Sequence, residues 1–271
     1  MISYANAKIN IGLNVTARRE DGYHLLETVF VPFPYYDILE ITDRKDGGGA
    51  TLEITGIDLL PDDNNLCLRA YRLLSERFSL PSVHIHLHKQ IPFGAGLGGG
   101  SSDAAAVLKM LNEKFGIGLS FTELELEASK LGADCPFFVH NKPMFATGIG
   151  TNLSPITLDL TGKYIVLIKP GVHVSTAEAY RGITPKVPSE PLTDLIQLPV
   201  QNWKYYIKND FEEHIFEMYP VVREAKLALY AKGALYAAMS GSGSAVYGIF
   251  SEEINLDDLK HLGTVIYPTS L

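Results

Sequence analysis

The sequence predicts an α+β protein of two domains, and three observations support this. The chain has 271 residues, more than the about 100–150 residues of a typical single domain. Strand-like and helix-like segments are mixed in both halves, so neither half is purely helical or purely β-structured. The pattern restarts beyond residue 155 with a buried strand, KYIVLIKPG. We therefore expect one domain over residues 1–155 and a second over residues 156–271.

Alternation and helical spacing predict the elements of the first half. The segments DILEIT and TLEIT are strand-like, and the glycine-rich DRKDGGGA between them predicts a hairpin. In LCLRAYRLLSERF, apolar residues recur at helical spacing and predict a helix. The next stretch, SVHIHLHK, alternates apolar residues with histidines, as a half-buried strand does.

Helix signals continue along the chain. Apolar residues recur at helical spacing from Ala104 to Phe115, and Gly116 suits the position after a helix end. The capping-box pattern SFTE predicts a second helix that ends near Gly132. In the second half, STAEAYRGI predicts a short helix and PVVREAKLALYAKG a longer one. Two strands, ALYAAM and AVYGIF, flank SGSGS. A last helix is predicted at NLDDLKHLG and a last strand at TVIYP.

Composition and charge narrow the function classes. A hydrophobic content of 46% is sufficient for a real core, and a net charge of −8 argues against general nucleic-acid binding, which needs a cationic surface. The two cysteines, Cys67 and Cys135, suit a reducing compartment and not a disulfide framework. The sequence shows no secretory signal and no run of about 20 apolar residues. We expect a cytoplasmic protein that binds a small molecule, without nucleic-acid or membrane partners.

A glycine-rich stretch, IPFGAGLGGGSSDAA, carries the main functional signal. Five glycines lie between Gly94 and Gly100, after a predicted strand and before a predicted helix. Glycines let backbone N–H groups point into one concavity, and the helix start adds further N–H groups and a positive dipole end. The stretch therefore predicts a phosphate site. A flexible linker is the alternative, and the ordered patterns on both sides argue against it.

Three well-known phosphate loops do not fit this stretch. The chain has no G-x-x-x-x-G-K-[ST], which excludes the P-loop. Gly94, Gly96 and Gly99 satisfy G-x-G-x-x-G, but a second strand ending in an acid is missing downstream. The H-R-D and D-F-G signatures of protein kinases are absent as well.

The arrangement that fits is P-x-x-x-G-L-G followed by two serines. It resembles the GHMP kinase superfamily, the small-molecule kinases of galactose, homoserine and mevalonate. The variant GLGGGSS points to the branch that acts on a cytidine diphosphate derivative of methylerythritol in the non-mevalonate route to isoprenoids. The resemblance implies that ATP is bound by Lys89, Pro92, Gly94, Gly96, Leu97, Gly98, Gly99, Gly100, Ser101 and Ser102.

Two further motifs match the catalytic residues of this branch. ANAKINIGLNV resembles its N-terminal motif, with Asn6 where proline is usual, and implies a catalytic role for Lys8. From the residues alone, Lys8 in an apolar strand either reaches towards solvent or pairs with a buried acid. GADCPFFV implies a catalytic Asp134, although an aspartate there could equally cap the next turn, and Cys135 takes a variable position that suggests packing.

Other motifs imply substrate contacts. DGYH implies that Tyr23 and His24 recognise the cytosine, whereas from the residues alone an ordinary hairpin is the alternative. The resemblance also assigns Asn10 and Thr176 to the substrate. SGSGS resembles a third family motif, a loop that closes on the phosphates, and NDFE recurs in the branch without an assigned role.

One constellation competes with these motifs. His84, His86 and His88 share a strand face and could approach a metal, but an exposed strand face is the simpler interpretation, and we predict no metal site there.

The resemblance also implies a fold and a reaction. The fold is the two-domain GHMP kinase fold, with a ribosomal-protein-S5-domain-2-like N-terminal domain, a ferredoxin-like C-terminal domain and an active site between them. The reaction is ATP-dependent phosphorylation of the 2-hydroxyl of the methylerythritol unit. Asp134 would accept the hydroxyl proton, and Lys8 would keep the Asp134 carboxylate ionised. Mg²⁺ is expected from the reaction, although the sequence shows no motif of metal ligands. Another GHMP kinase and a non-catalytic nucleotide sensor are the alternatives.

Overall fold

The computed structural model describes residues 1–57 and 62–269, and the chain divides into two compact units. The first unit consists of Met1–Ala7, Pro34–Phe93 and Gly98–Lys142, and the second of Lys8–Phe33, Gly94–Leu97 and Pro143–Leu271. Strands β1 (Ile2–Arg18) and β2 (His24–Asp43) contribute residues to both. Because the units follow compactness and not chain order, the boundary near residue 155 stays a prediction.

The described residues of the first unit form sheet strands and four helices. Its elements after β2 are β3 (Ala50–Thr55), α1 (Leu66–Phe78), β4 (Val83–His88), α2 (Gly99–Lys114), α3 (Phe121–Ser129) and α4 (Cys135–His140). Helix α1 packs on α2, and α4 packs on α2 and α3. The apolar residues of β4 are buried and its histidines are half-buried, as the alternation predicts.

The predicted hairpin between DILEIT and TLEIT is wrong, because β4 lies between these strands. β4 pairs antiparallel with β2, Ile38 opposite His88, and parallel with β3, Thr55 opposite His88. A parallel pair needs a crossover of a dozen or more residues, and α1 supplies it between β3 and β4. The glycine-rich loop therefore connects two strands that are not hydrogen-bonded to each other.

Local signals place the helix ends of this unit. The side chain of Ser120 accepts a hydrogen bond from the Glu123 backbone, and the Glu123 side chain returns one to the Ser120 backbone, which confirms the capping box of α3. Gly116 follows the end of α2 with φ of 58°, a left-handed conformation that glycine adopts at little cost.

The second unit contains one part of a mixed sheet, a four-stranded sheet and the remaining helices. The first part of β2 pairs with β5 (Met144–Thr147), which pairs with β6 (Asn152–Pro155). A four-stranded antiparallel sheet has the order β10-β7-β9-β8. Its strands are β7 (Tyr164–Lys169), β8 (Tyr236–Met239), β9 (Val246–Phe250) and β10 (Thr264–Ile266). The helices are α5 (Thr176–Arg181), α6 (Leu192–Leu195), α7 (Val200–Tyr206), α8 (Glu212–Met218) and α9 (Pro220–Ala231), followed by a 3₁₀ helix (Asp257–Leu262).

The core of the second unit lies between its four-stranded sheet and helices. Val166 and Ile168 of β7 pack in one buried cluster with Val222, Ala225 and Leu229 of α9. These α9 residues recur three or four apart, so that one helix face is apolar. The predicted elements of this half are confirmed, except that NLDDLKHLG forms a 3₁₀ helix instead of an α-helix. The prolines of residues 185–199 predict irregular structure, and this prediction is wrong where α6 forms. Among the described residues, no helix combines the length and the apolar character that crossing a membrane requires.

Candidate functional site

The start of α2 has the features of an anion site. Gly98 is the N-cap residue, with φ of 70°, and no side chain caps the helix there. The first N–H groups of a helix lack intrahelical partners, and the helix dipole favours an anion in front of them. Gly99 and Gly100 form the first turn, so no Cβ atom obstructs approach to this backbone. Ser101 is half-buried, whereas Ser102 is buried.

The first half of the glycine loop, Gly94–Leu97, belongs to the second unit and lies against the SGSGS segment. The Ala245 N–H donates to the Ala95 carbonyl at 3.1 Å, and the Ser240 hydroxyl donates to the Gly96 carbonyl at 2.8 Å. Gly96 has φ of 76°, and a Cβ atom there would overlap the carbonyl oxygen of Ser240. The third motif therefore supports this half of the loop directly.

Replacing Gly96 by alanine is expected to lower the free energy of unfolding by at least about 2 kcal/mol and to weaken binding of ATP, the nucleotide that the family resemblance implies. The new methyl group would meet backbone and not a movable side chain, and alanine disfavours the positive φ. Gly171→Ala is the control, since Gly171 has open space around it and no left-handed conformation. Thermal unfolding and ATP kinetics of both variants test the expectation, and a Gly96→Ala variant as stable as the control would contradict it.

Lys8 is a buried lysine with a defined network. Its Nζ donates to Asn10 Oδ1 at 2.6 Å and to the Gly96 carbonyl at 3.0 Å, and it lies 5.1 Å from the centre of the Phe30 ring. The amide of Asn10 donates to the Thr28 hydroxyl at 3.0 Å. Lys8 is only 3% exposed, so it does not simply reach for solvent. The predicted catalytic lysine is thus fixed beside the glycine loop.

Ser240 completes this network, although sequence reasoning assigned it no individual role. Its hydroxyl accepts the Asn10 N–H at 3.2 Å while it donates to Gly96. Asn10 also has its backbone carbonyl bound by the Tyr247 hydroxyl at 2.8 Å. Asn10 is buried, so in this structure it orients Lys8, and its predicted contact with the substrate stays a prediction.

Asp134 lies at the N-cap position of α4, but its side chain makes no capping hydrogen bond to that helix. The capping alternative is therefore wrong for this residue. Asp134 is half-buried, and the following Cys135 is fully buried, as packing predicts. Lys109 stabilises the segment, because its Nζ donates to the Phe138 carbonyl at 3.0 Å. Asp134 belongs to the first unit and Lys8 to the second, so their pairing stays a prediction.

The aromatic residues of DGYH occupy different environments. Tyr23 is 61% exposed in a turn where the Gly22 N–H donates to the Arg19 carbonyl. His24 begins β2, and burial, with a smaller contribution from Arg18, lowers the pKa of its imidazole. A neutral imidazole has one donor and one acceptor nitrogen, as recognition of a base edge requires.

Tyr180 joins these residues, and sequence reasoning missed it. Its ring stacks on His24, with centroids 4.6 Å apart and planes 20° apart, and it also forms an edge-to-face pair with the buried Phe211. Thr176, the exposed first residue of α5, precedes Tyr180 by four positions and therefore shares its helix face. The i+4 spacing from Thr176 was the sequence signal that could have identified Tyr180.

The NDFE segment (209–212) receives a structural role. The Asn209 amide donates to the carbonyls of Met239 and Gly241, each at 2.8 Å, and thus holds the segment that leads into SGSGS. The Glu212 carboxylate accepts the Met239 N–H at 2.8 Å. The segment therefore positions the loop that supports Gly96.

The histidine face of β4 is engaged with β3. His84 hydrogen-bonds to the Thr51 hydroxyl at 3.0 Å, and His86 and His88 both hydrogen-bond to Thr55, at 2.9 and 3.1 Å. Across residues 1–57 and 62–269, three or more histidine, cysteine, aspartate or glutamate side chains nowhere converge in a way that could hold a metal. These contacts favour the simple strand-face interpretation.

Comparison with known proteins identifies the family. The model of the GHMP kinases N terminal domain matches residues 65–142, and the GHMP kinases C terminal model matches residues 194–261. This chain is 50% identical to a 4-diphosphocytidyl-2-C-methyl-D-erythritol kinase of Bacteroides fragilis, and the alignment covers 100% of both chains. The chain belongs to the GHMP kinase family. A relative with the same description from Pelodictyon phaeoclathratiforme is 42% identical, over 91% of this GHMP kinase and 88% of the relative.

Solved structures agree with this assignment. A crystal structure of 4-(cytidine 5'-diphospho)-2C-methyl-D-erythritol kinase superimposes with a TM-score of 0.84 at 34% identity, covering 98% of this GHMP kinase and 97% of the other chain. The homoserine kinase from Cytophaga hutchinsonii shares the fold, with a TM-score of 0.66 at 18% identity over 92% and 85%. The predicted α+β, two-domain GHMP kinase fold and the resemblance to this branch are confirmed.

Proposed function

We propose that this GHMP kinase transfers the γ-phosphoryl group of ATP to the 2-hydroxyl of 4-diphosphocytidyl-2-C-methyl-D-erythritol. The observation that carries the proposal is 50% identity over the full chain to kinases of that description. The geometry of each unit is consistent with it, since an uncapped helix start, a fixed lysine and an aromatic pair lie at the matching motif positions. ATP is the phosphoryl donor, and the glycine loop and the start of α2 bind its phosphates.

The chain supplies positioning and charge for this transfer. Phosphoryl transfer leaves little covalent chemistry to the protein, so orientation of the two reactants is most of its task. Asp134 accepts the proton of the substrate hydroxyl as it attacks. Lys8 places its ammonium group beside the reacting oxygens and is itself oriented by Asn10 and the Gly96 carbonyl.

Mg²⁺ is the metal that we propose for the reaction, bound to the nucleotide. It would neutralise charge on the phosphates when bound. The described residues contain no cluster of three or more protein ligands for a metal, so entry with ATP is the arrangement that fits this chain. For the compartment we propose the cytoplasm, because both cysteines are free buried thiols.

An ATP turnover assay with and without the cytidylated substrate tests the proposal. We expect ADP release that depends on 4-diphosphocytidyl-2-C-methyl-D-erythritol and that does not occur with homoserine or mevalonate. Turnover with one of those alcohols would indicate another GHMP kinase. Nucleotide binding without any turnover would indicate a sensor, and either result would overturn the proposal.

Replacing Tyr23 by alanine is expected to raise KM for the cytidylated substrate about tenfold and to change KM for ATP little, because stacking of a base on an aromatic ring contributes about 1–3 kcal/mol. Tyr23 suits this role because its ring is exposed and adjoins His24. Tyr205→Ala is the matched control, since Tyr205 is a comparably exposed tyrosine on α7. Equal substrate KM values for Tyr23→Ala and wild type would refute the cytosine assignment.

A further inference from the structure

Three charged side chains are buried together behind the start of α2. Asp37 of β2, Lys89 after β4 and Asp103 of α2 are 0%, 4% and 2% exposed. Lys89 Nζ donates to the Asp37 carboxylate and to Asp103 Oδ2, the latter at 3.0 Å. We call these three residues the buried charge cluster. Asp37 Oδ1 additionally accepts the backbone N–H groups of Gln90 and Ile91, at 2.6 and 2.9 Å.

The cluster is in direct contact with the predicted phosphate-binding backbone. A Cβ atom built on Gly99 would lie 2.8 Å from Lys89 Nζ, so the ammonium packs against the first residue of α2 with no room for a larger side chain. Asp103 lies one turn further along the same helix. The cluster therefore joins β2, the end of β4 and the start of α2 through ionic hydrogen bonds.

The burial of Lys89 changes the interpretation of its motif. The family resemblance implies a lysine that contacts the nucleotide, but this ammonium is almost inaccessible and its donors are directed at two carboxylates. Removing one partner of a buried ion pair is costly because it leaves an uncompensated charge. Lys89 can therefore influence ATP binding strongly without touching ATP.

The cluster has one more carboxylate than it has ammonium groups. Asp103 Oδ1 is buried and has no hydrogen-bond partner among the described residues. Burial raises the pKa of the Asp103 carboxyl to about 8, with Lys89 opposing the rise and Asp37 adding to it. Two further titratable groups interact with the cluster, the thiol of Cys67 and the phenol of Tyr35 beside Asp37, and burial raises the pKa of both. Both groups thus stay neutral where Asp103 titrates.

We propose that Asp37, Lys89 and Asp103 are positioning residues for ATP, which hold the start of α2 in its binding geometry through Gly99 without contacting the nucleotide. The inference rests on the proposed function, since it takes the start of α2 as the phosphate site. It predicts that the charge balance of the cluster, and not the presence of an ammonium at residue 89, determines affinity for ATP.

Two variants separate positioning from direct contact. Lys89→Met leaves two buried carboxylates without a cation and is expected to raise KM for ATP about tenfold, with the substrate KM unchanged. Both variants are assayed above a pH of about 8, where the Asp103 carboxyl is ionised. There, the double variant Lys89→Met with Asp103→Asn removes one charge of each sign, and its new amide can donate to Asp37. We expect its KM for ATP to return to within about threefold of wild type. Lys114→Met is the control, because Lys114 also forms an ion pair, with Asp43 of β2, but lies at the end of α2 that is far from Gly99.

The recovery in the double variant decides between the two roles. A folded double variant that is as impaired towards ATP as Lys89→Met would overturn the proposal, because a lysine that contacts phosphate cannot be compensated at Asp103. If Lys89→Met does not fold, the double variant still decides by its own KM for ATP and by calorimetric binding of ADP. Loss of wild-type turnover in the same assay would refute the proposed function instead, so the two failures are distinguishable.

The pH dependence provides a second readout. Above a pH of about 8, Asp103 loses its proton and adds a negative charge beneath the anion site, so wild-type KM for ATP is expected to rise there. Asp103→Asn cannot titrate and is expected to lack this rise. Parallel pH profiles of KM in the two proteins would contradict the role of Asp103.

Discussion

Asp134→Asn is expected to lower kcat by at least about 100-fold, because general-base assistance is typically worth about 10²–10⁴-fold. The asparagine keeps the size and shape of the side chain but cannot accept the proton of the attacking hydroxyl. Since the Asp134 side chain does not cap α4, the exchange costs no helix cap, and the variant is expected to fold normally. Steady-state kinetics at saturating ATP and cytidylated substrate provide the measurement, with thermal unfolding alongside.

The control for this prediction is Asp43→Asn, which removes an exposed carboxylate that pairs with Lys114 on the surface. It is expected to keep wild-type kcat. The Asp134 assignment fails if both variants turn over at similar rates. A large loss of kcat with unchanged KM for both substrates would locate the effect in the chemical step.

Lys8→Met is expected to lower kcat by at least about 100-fold as well, because the ammonium beside the reacting groups is lost. Methionine preserves much of the side-chain volume that packs near Phe30. The exchange also removes the hydrogen bonds to Asn10 and to the Gly96 carbonyl, so a decrease in Tm of a few degrees is expected together with the loss of turnover. Activity near that of wild type would rule out the assigned role.

The double variant Lys8→Met with Asp134→Asn tests whether the two residues act as one catalytic unit. Residues that act together show strongly non-additive effects, so the double variant is expected to be about as slow as the slower single variant. A loss equal to the product of the two single losses would instead indicate independent roles. This comparison tests the pairing that the family resemblance implies.

Short-range signals predicted five of the helices in the described residues, α1, α2, α3, α5 and α9, whereas α4, α6, α7 and α8 were not predicted. The capping box at Ser120 and Glu123 and the glycine after α2 involve residues within one turn of each other, so their hydrogen bonds can be inferred from spacing alone. The alternation in β4 likewise revealed its buried face. The strand order could not be inferred in this way, because pairing β3 with β4 depends on a crossover through α1 and on contacts distant in sequence.

For the site residues, too, the sequence predicts which residues belong to the site but not which contacts they make. Motif resemblance was enough to predict Lys8, Asp134 and the glycine loop as site residues, since residue type and order along the chain can be read from the sequence itself. The surroundings of each side chain could not be predicted from the sequence. Whether Asp134 caps α4, whether Lys8 reaches solvent, and which partner Lys89 binds depend on neighbours that are far away along the chain.

Residue types, their local spacing and the order of the motifs were therefore enough to predict an α+β kinase fold and the family of its reaction. The tertiary structure was needed for the rest: the placement of β4 between β2 and β3, the stacking of Tyr180 on His24, the hydroxyl of Ser240 that joins Asn10 to Gly96, and the burial of Lys89 between two carboxylates. The physical reason is that helix caps and strand alternation arise from interactions over a few residues. Burial and hydrogen-bond partnership arise from segments that meet only when the chain has folded.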